Sequence, residues 1–300
     1  MCCRPGIPFW NAQAHPLSRE ERRATPLPDG DRRPTNQFHG GHAAPPSSRF
    51  PPLVERPLPP LDDEIHLYTW NLDRPDLQID ADWMSRDERN RAERFRFERD
   101  RGRFRAARQT LRWILGSCCG SSPDAIRFDY GGAGKPYLFG SELAFNLSHS
   151  AGRALLAVVS RGPVGVDLEE IRPIGGLLTI AERYFSPIEA AELTRISGRF
   201  PGLARQAFFR CWTRKEAFLK ASGAGLSEEA LRAFAVSCHP DEAPRLLIDN
   251  SSIGDRSGWS LTDVAPYDGF VGAVVTSGSR RRWSAWELGS ELPPSVSASR

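Results

Sequence analysis

Residues 208–225 read FFRCWTRKEAFLKASGAG, and the arrangement of the remaining chain follows from this stretch. It holds good helix formers and no proline, and two glycines near its end can terminate it, so it predicts a helix. Trp212, Glu216 and Lys220 recur every four residues and therefore share one face of that helix. An acid placed between an aromatic ring and an ammonium group is typical of a solvated ion pair or of a functional site.

A second acidic stretch lies upstream, at residues 163–171, where the sequence is PVGVDLEEI. Its apolar residues alternate with glycine and acids, which predicts a strand. Asp167 and Glu169 then point to the same side, with their Cα atoms about 7 Å apart. Together with Glu216 they form an oxygen-rich set that suits Mg²⁺ held jointly with substrate phosphates. Taken singly, each acid is more typical of a polar strand edge or helix surface.

The composition excludes several classes of protein. The chain of 300 residues carries a formal net charge of +3, which is too small by itself to indicate nucleic acid or a membrane as partner. No apolar run reaches the roughly 18 residues of a membrane span, and residues 1–30 lack the apolar core of a secretory signal. The six cysteines show neither zinc nor disulfide spacing, so a reduced, cytoplasmic setting is expected.

Lysine is rare in this chain. Of 40 basic residues only three are lysines, namely Lys135, Lys215 and Lys220. Two lie on the predicted helix, and Lys135 lies in the glycine turn GGAGKP at 131–136. Lysine is a compact point charge whereas arginine is a planar fork, so this placement favours contacts with phosphate, with chance as the alternative.

Patterning divides the chain into four segments. Residues 1–60 hold 13 of the 25 prolines and little apolar periodicity, which predicts a disordered extension. Residues 61–161 and 162–288 each contain strands and helices, and 289–300 form a tail. The expected fold class is α/β (α+β), with an N-terminal α/β half followed by a C-terminal α/β half that carries the acids. In the first half, helices are predicted over 82–98 and about 101–116.

The first half contains an arginine-rich stretch. Residues 86–112 hold 11 arginines against five acids, interleaved with phenylalanines. Two interpretations are equally supported by this pattern: a pair of salt-bridged surface helices, or a face that binds anions.

Five motifs resemble those of a known family. They are GKP at 134–136, FNLSHS at 145–150, GVDLE at 165–169, RYFSPIEAAEL at 183–193 and WTRKEAFLKASGAGL at 212–226. In order and approximate spacing they resemble the Sfp-type 4′-phosphopantetheinyl transferases. The resemblance covers residues 61–288. It implies two similar α/β halves in one chain (a pseudo-dimeric fold) with coenzyme A in the cleft between them.

The resemblance also implies roles for individual residues. Asp167, Glu169 and Glu216 correspond to the ligands of Mg²⁺, with Mn²⁺ as a possible substitute. Residues on the coenzyme A side correspond to phosphate and adenine contacts: Arg103, Arg108, Lys135, Pro136, Ser148, His149, Lys215 and Lys220. Among the arginines Arg103 is the best match, and Arg91 and Arg108 are weaker ones. Catalytic roles fall to Lys220 at the pyrophosphate and to Glu216 as the base, with Glu189 as its rival.

The activity implied is transfer of 4′-phosphopantetheine from coenzyme A to a serine of an acyl or peptidyl carrier protein, with release of adenosine 3′,5′-bisphosphate. The expected state is a monomer that binds neither nucleic acid nor membrane. The carrier stays open among fatty-acid, polyketide and non-ribosomal peptide systems. Two rival functions use the same residues differently: a Mg²⁺-dependent nucleotide pyrophosphate hydrolase, and an RNA-binding module built on the arginine-rich stretch.

Overall fold

The computed structural model describes residue 53 and residues 57–73, 83–249, 258–278 and 282–289. Most of the predicted extension at 1–60 and nearly all of the predicted tail at 289–300 lie outside the described residues. Within the described part, no helix is both long and apolar enough to cross a membrane.

Six α-helices and eleven strands make up the described fold. The helices are α1 Arg86–Glu93, α2 Glu98–Cys119, α3 Leu177–Tyr184, α4 Pro187–Arg199, α5 Pro201–Ser222 and α6 Glu228–Arg232, with a 3₁₀ turn at Pro123–Ala125. The strands are β1 Glu64–Asn71, β2 Phe128–Tyr130, β3 Pro136–Leu138, β4 Ala144–Ser150, β5 Arg153–Val159, β6 Val164–Glu170, β7 Phe234–Val236, β8 Leu246–Asp249, β9 Trp259–Val264, β10 Phe270–Ser277 and β11 Arg282–Glu287.

The two halves each pack a long helix against a sheet. The first sheet has the strand order β11-β1-β5-β4, and the second has the order β6-β10-β9. Side chains of α2 share a core with the first sheet, and those of α5 share a core with β10 of the second. This arrangement confirms the predicted mixed α/β fold with two halves in one chain.

The last strand crosses the predicted boundary between the halves. Strand β11 was expected in the C-terminal half, but it pairs in parallel with β1, with Glu64 opposite Arg282. Parallel pairing of strands so distant in sequence leaves no local signal, because the register depends on how the whole chain folds.

The boundaries of several helices also differ from the sequence prediction. The helix expected over 82–98 begins only at Arg86, where Ser85 and Glu88 form a capping box, and it ends at Glu93. A new helix, α2, starts after Phe97, which has an extended backbone. Helix α5 begins at Pro201 rather than at 208, since proline is accepted in a first turn, and ends before Gly223 at φ 71°.

Strand β6 and helix α5 approach each other closely at Gly165. A Cβ atom on Gly165 would overlap the backbone oxygen of Ala217 and the backbone nitrogen of Ala221. The absence of a side chain at this position therefore sets the distance between the strand that carries Asp167 and the helix that carries Glu216.

We expect Gly165→Ala to destabilise the protein by about 1–3 kcal/mol, because the backbone of α5 must move away from β6. Urea unfolding measures this change. Gly202→Ala on the same helix is the control, since a Cβ there meets no atom within 4 Å, and it should be neutral or slightly stabilising. Equal free energies of unfolding for the two variants would contradict the close packing of β6 against α5 at Gly165.

Candidate active site

Strand β6 and helix α5 meet at a buried cluster of one lysine and two acids. Lys220 donates a hydrogen bond to Asp167, with 2.6 Å between Nζ and Oδ1. The same ammonium lies 3.2 Å from Oε2 of Glu216, one turn earlier on α5. Asp167 and Glu216 are 2% and 3% exposed, whereas the side chain of Lys220 is 23% exposed and opens the cluster to solvent. The fold thus brings together a strand acid and a helix acid that are far apart in the sequence.

Strand β4 holds β6 in place through alternate side chains. The side-chain oxygen of Asn146 accepts a hydrogen bond from the backbone of β6 at 2.8 Å. Ser148 and Ser150 donate hydroxyl hydrogen bonds of 2.8 Å to the carboxylates of Asp167 and Glu169. Sequence reasoning missed Asn146 and Ser150, although their alternation in FNLSHS places them on the same strand face as Ser148.

Burial and mutual charge shift the pKa values of the acids and of the lysine in this cluster. Burial, together with the charge of Asp167, raises the pKa of Glu216 to about 8 and that of Glu169 to about 7. Burial opposes the charged form of Lys220, but the neighbouring carboxylates of Asp167 and Glu216 outweigh it and raise its pKa. When all are ionised, three carboxylates face the ammonium of Lys220 and the guanidinium of Arg172, which lies 3.4 Å from Glu169, so one negative charge is left uncompensated.

The donor set fits a divalent cation in its chemistry. Among the described residues, no three His, Cys, Asp or Glu side chains are arranged as a ready metal site, since Lys220 lies between two of the acids. Two buried oxygens, Oδ2 of Asp167 and Oε1 of Glu216, have no hydrogen-bond partner in the described part of the chain. Hard carboxylate oxygens with excess negative charge are the ligands that Mg²⁺ and Mn²⁺ prefer.

A cleft of about 900 Å³ opens on the other face of β4. Arg103, Arg108, Pro136 and His149 line it, and these are four of the residues predicted to contact coenzyme A. None of the three acids is among the described residues that line this cleft. Strand β4 separates the two regions, because Ser148 faces the acids and the adjacent His149 faces the cleft. Strand β4 is the last strand of its sheet, and its side chains contact β6 of the second half.

His149 is held neutral at the inner wall of the cleft. Burial and the positive charges of Lys220 and Arg103 lower its pKa to about 4. The acid cluster and the cleft are close in space, because Ser148, which binds Asp167, is adjacent to His149 in β4. A neutral imidazole beside two cations can donate or accept one hydrogen bond without adding charge.

The arginine-rich stretch forms salt-bridged helices, which is one of the two interpretations that the sequence left open, and the anion-binding face stays a prediction. On the outer surface, Arg101 and Arg105 pair with acids of the same region. On the cleft side, Arg108 binds the buried carboxylate of Glu88, with 2.6 Å between Nε and Oε1, and lies 4.5 Å from the ring centre of Phe128. Glu88 also pairs with Arg112, so one carboxylate is shared by two guanidinium groups on this side.

Lys135 ties the glycine turn to the second half. Its ammonium donates a 2.7 Å hydrogen bond to the backbone oxygen of Val164, the first residue of β6. Burial lowers the pKa of Lys135 to about 8. In the described structure Lys135 therefore joins the two halves, whereas Pro136 beside it lines the cleft.

Comparisons with known proteins point to one family. Residues 68–161 match the family model "4'-phosphopantetheinyl transferase, N-terminal", and residues 163–275 match the model of the 4′-phosphopantetheinyl transferase superfamily. The 4′-phosphopantetheinyl transferase HetI of Nostoc sp. is 41% identical over 233 residues, which cover 74% of this chain and 93% of HetI. The chain belongs to the 4′-phosphopantetheinyl transferase superfamily.

Two transferases of Bacillus are similar over a shorter span. The enzyme psf-1 of Bacillus pumilus is 37% identical over 172 residues, covering 57% of this chain and 68% of psf-1. Sfp of Bacillus subtilis is 30% identical over 182 residues, covering 59% of this chain and 78% of Sfp. The present protein is accordingly a transferase that attaches 4′-phosphopantetheine to carrier proteins, and coenzyme A is the substrate that the family implies.

Two predicted site residues of this phosphopantetheinyl transferase lie elsewhere. Lys215 was expected near the phosphates and Glu189 as a rival base, but both side chains are fully buried against each other. Nζ of Lys215 donates to both carboxylate oxygens of Glu189, at 2.7 and 2.8 Å, and to the backbone oxygen of Phe234. Glu189 also accepts from the backbone nitrogens of Ser186 and Val236.

This buried pair joins α4, α5 and β7, and neither member reaches the cleft or the acid cluster. The reason is the helical period, since Lys215 and Glu216 are adjacent and project about 100° apart on α5. The sequence places both on the helix, but only packing decides which of them faces the core. Their predicted catalytic and phosphate-binding roles are therefore wrong for the described fold.

Proposed function

We propose that the acid cluster and the cleft together perform the transfer, with the cluster at the pyrophosphate of coenzyme A and the cleft around its nucleotide. The proposal is carried by one observation: Asp167, Glu216 and Lys220 converge beside an edge strand whose other face lines the cleft. A cleft of about 900 Å³ is at the upper end of the usual range of small-ligand sites.

Asp167 and Glu216 are the proposed ligands of a Mg²⁺ or Mn²⁺ ion, and Glu169 is the proposed third acid, which contributes directly or through water. Such an ion would neutralise the charge of the pyrophosphate. Lys220 would donate hydrogen bonds to the phosphate oxygens on which negative charge grows in the transition state. His149 and Arg103 would bind the 3′-phosphate, and Pro136 would pack beside the adenine.

The chemistry is a displacement at phosphorus. The serine oxygen of the carrier bonds to the β-phosphorus, the one that bears pantetheine, and the bond from that phosphorus to the bridging oxygen breaks. The electron pair leaves with adenosine 3′,5′-bisphosphate. Glu216 is the proposed acceptor of the proton of the serine hydroxyl, directly or through a water molecule.

The direct test is incubation of the full chain with coenzyme A, Mg²⁺ and a panel of apo carrier proteins, read by intact mass. We expect one carrier serine to gain one phosphopantetheine, and we expect a chelator to stop the reaction until Mg²⁺ is restored. Release of adenosine 3′,5′-bisphosphate without any gain of mass on a carrier would instead indicate the hydrolase.

We also propose that one chain is sufficient for activity, because both the acids and the cleft come from the same polypeptide. Sedimentation under assay conditions measures the oligomeric state. If only a dimer were active, the proposal that one chain is sufficient would be wrong.

A further inference from the structure

Arg103 is held at the cleft by the carboxylate of Asp73, a residue that belongs to none of the sequence motifs. The guanidinium donates two parallel hydrogen bonds, from Nε to Oδ1 and from Nη2 to Oδ2, each 2.6 Å long. Such a two-point contact fixes both the position and the plane of an arginine side chain. It leaves one N–H of Nη2 and both N–H groups of Nη1 to bind something else.

Two neighbouring turns of the backbone leave room for the pair of Asp73 and Arg103. The backbone nitrogen of Asp73 donates to the side chain of Asn71 at 3.0 Å, which forms a tight turn directly after β1. Gly152, in the turn between β4 and β5, has φ 79° and packs against both partners. A Cβ on Gly152 would overlap Oδ2 of Asp73 and lie 3.0 Å from Nη2 of Arg103. Three separate segments of the first half therefore converge on one guanidinium.

Charge keeps the pair intact. The hydrogen bonds from Arg103, followed by the more distant charges of Arg99 and Arg153, lower the pKa of Asp73. The same contact raises the pKa of Arg103. Asp73 therefore stays ionised at neutral pH, and the guanidinium remains oriented in the absence of ligand.

We propose that Asp73 is a positioning residue for phosphate recognition, which holds Arg103 with its remaining donors directed to the 3′-phosphate of coenzyme A. This inference rests on the proposed function, in which Arg103 and His149 bind that phosphate. Asp73 itself, being an anion, does not contact the phosphate. Its contribution is to pre-orient a flexible side chain, so that less conformational freedom is lost when the ligand binds.

The test compares coenzyme A with 3′-dephospho-coenzyme A in steady-state transfer to one carrier. We expect Asp73→Asn to raise KM for coenzyme A about 5- to 10-fold with kcat within about twofold of the parent, since only ground-state binding is weakened. KM for 3′-dephospho-coenzyme A should not change. In an Arg103→Ala background, Asp73→Asn should have no further effect on either substrate.

Glu98→Gln is the matched control, because it removes an exposed carboxylate that pairs with Arg101 on the same helix, and it should leave both KM values unchanged. If Asp73→Asn changes neither KM, or changes both equally, the positioning role is wrong. If Arg103→Ala also changes KM for coenzyme A and KM for 3′-dephospho-coenzyme A by the same factor, the phosphate contact proposed for Arg103 is wrong as well. Circular dichroism and thermal unfolding establish that each variant is folded.

Discussion

Replacing Glu216 by glutamine should lower kcat/KM for carrier modification by about three orders of magnitude, within the range lost when a general base is removed. Glutamine keeps the size of the side chain and one oxygen for Lys220, but it can neither accept a proton nor carry negative charge. The measurement is the initial rate of phosphopantetheine transfer, followed by intact mass of the carrier.

The stability of this variant should not fall. Glu216 is buried beside Asp167, whose charge, together with burial, raises its pKa. Neutralising it therefore relieves repulsion between like charges. Glu192→Gln is the control, since Glu192 forms a surface pair with Arg195 and should leave the rate unchanged. Near-normal turnover of Glu216→Gln would remove Glu216 from the mechanism.

Lys215→Met should destabilise the fold by about 3–5 kcal/mol, the usual cost of leaving one member of a buried ion pair without its partner. Both side chains of the pair with Glu189 are 0% exposed. Methionine fills a similar volume, so the expected loss comes from the unpaired carboxylate rather than from a cavity. Equilibrium unfolding in urea measures it.

Two further variants isolate the cause. The double variant Lys215→Met with Glu189→Gln should recover part of the loss, because the amide is neutral and can still accept a hydrogen bond from the backbone of Val236. Arg195→Met, which breaks an exposed pair with Glu192, should cost less than about 1 kcal/mol. If Lys215→Met lowered the free energy of unfolding by as little as Arg195→Met does, the buried pair would not be structural.

The local order of residues was sufficient to predict much of the site. The alternation in 163–171 places Asp167 and Glu169 on one side of a strand, and the four-residue spacing places Glu216 and Lys220 on one face of a helix. Both relations depend only on the repeat of the backbone, and the structure preserves them. Gly223 likewise ends the helix because it adopts a positive φ.

Contacts across the fold were not predictable in this way. The pairing of β11 with β1, the burial of Lys215 against Glu189, and the contact of Asp73 with Arg103 each join segments far apart in the sequence. Lys215 and Lys220 show the limit clearly, since both are lysines on one helix and only one lies beside the acid cluster.

The sequence by itself determined the elements, the acids and the family, because strand and helix periods and linear motifs are properties of neighbouring residues. Only the tertiary structure decided which charged groups are structural and which remain available for chemistry. The physical reason is that burial and pairing set the energy of a charge, and both depend on side chains brought together from distant parts of the chain.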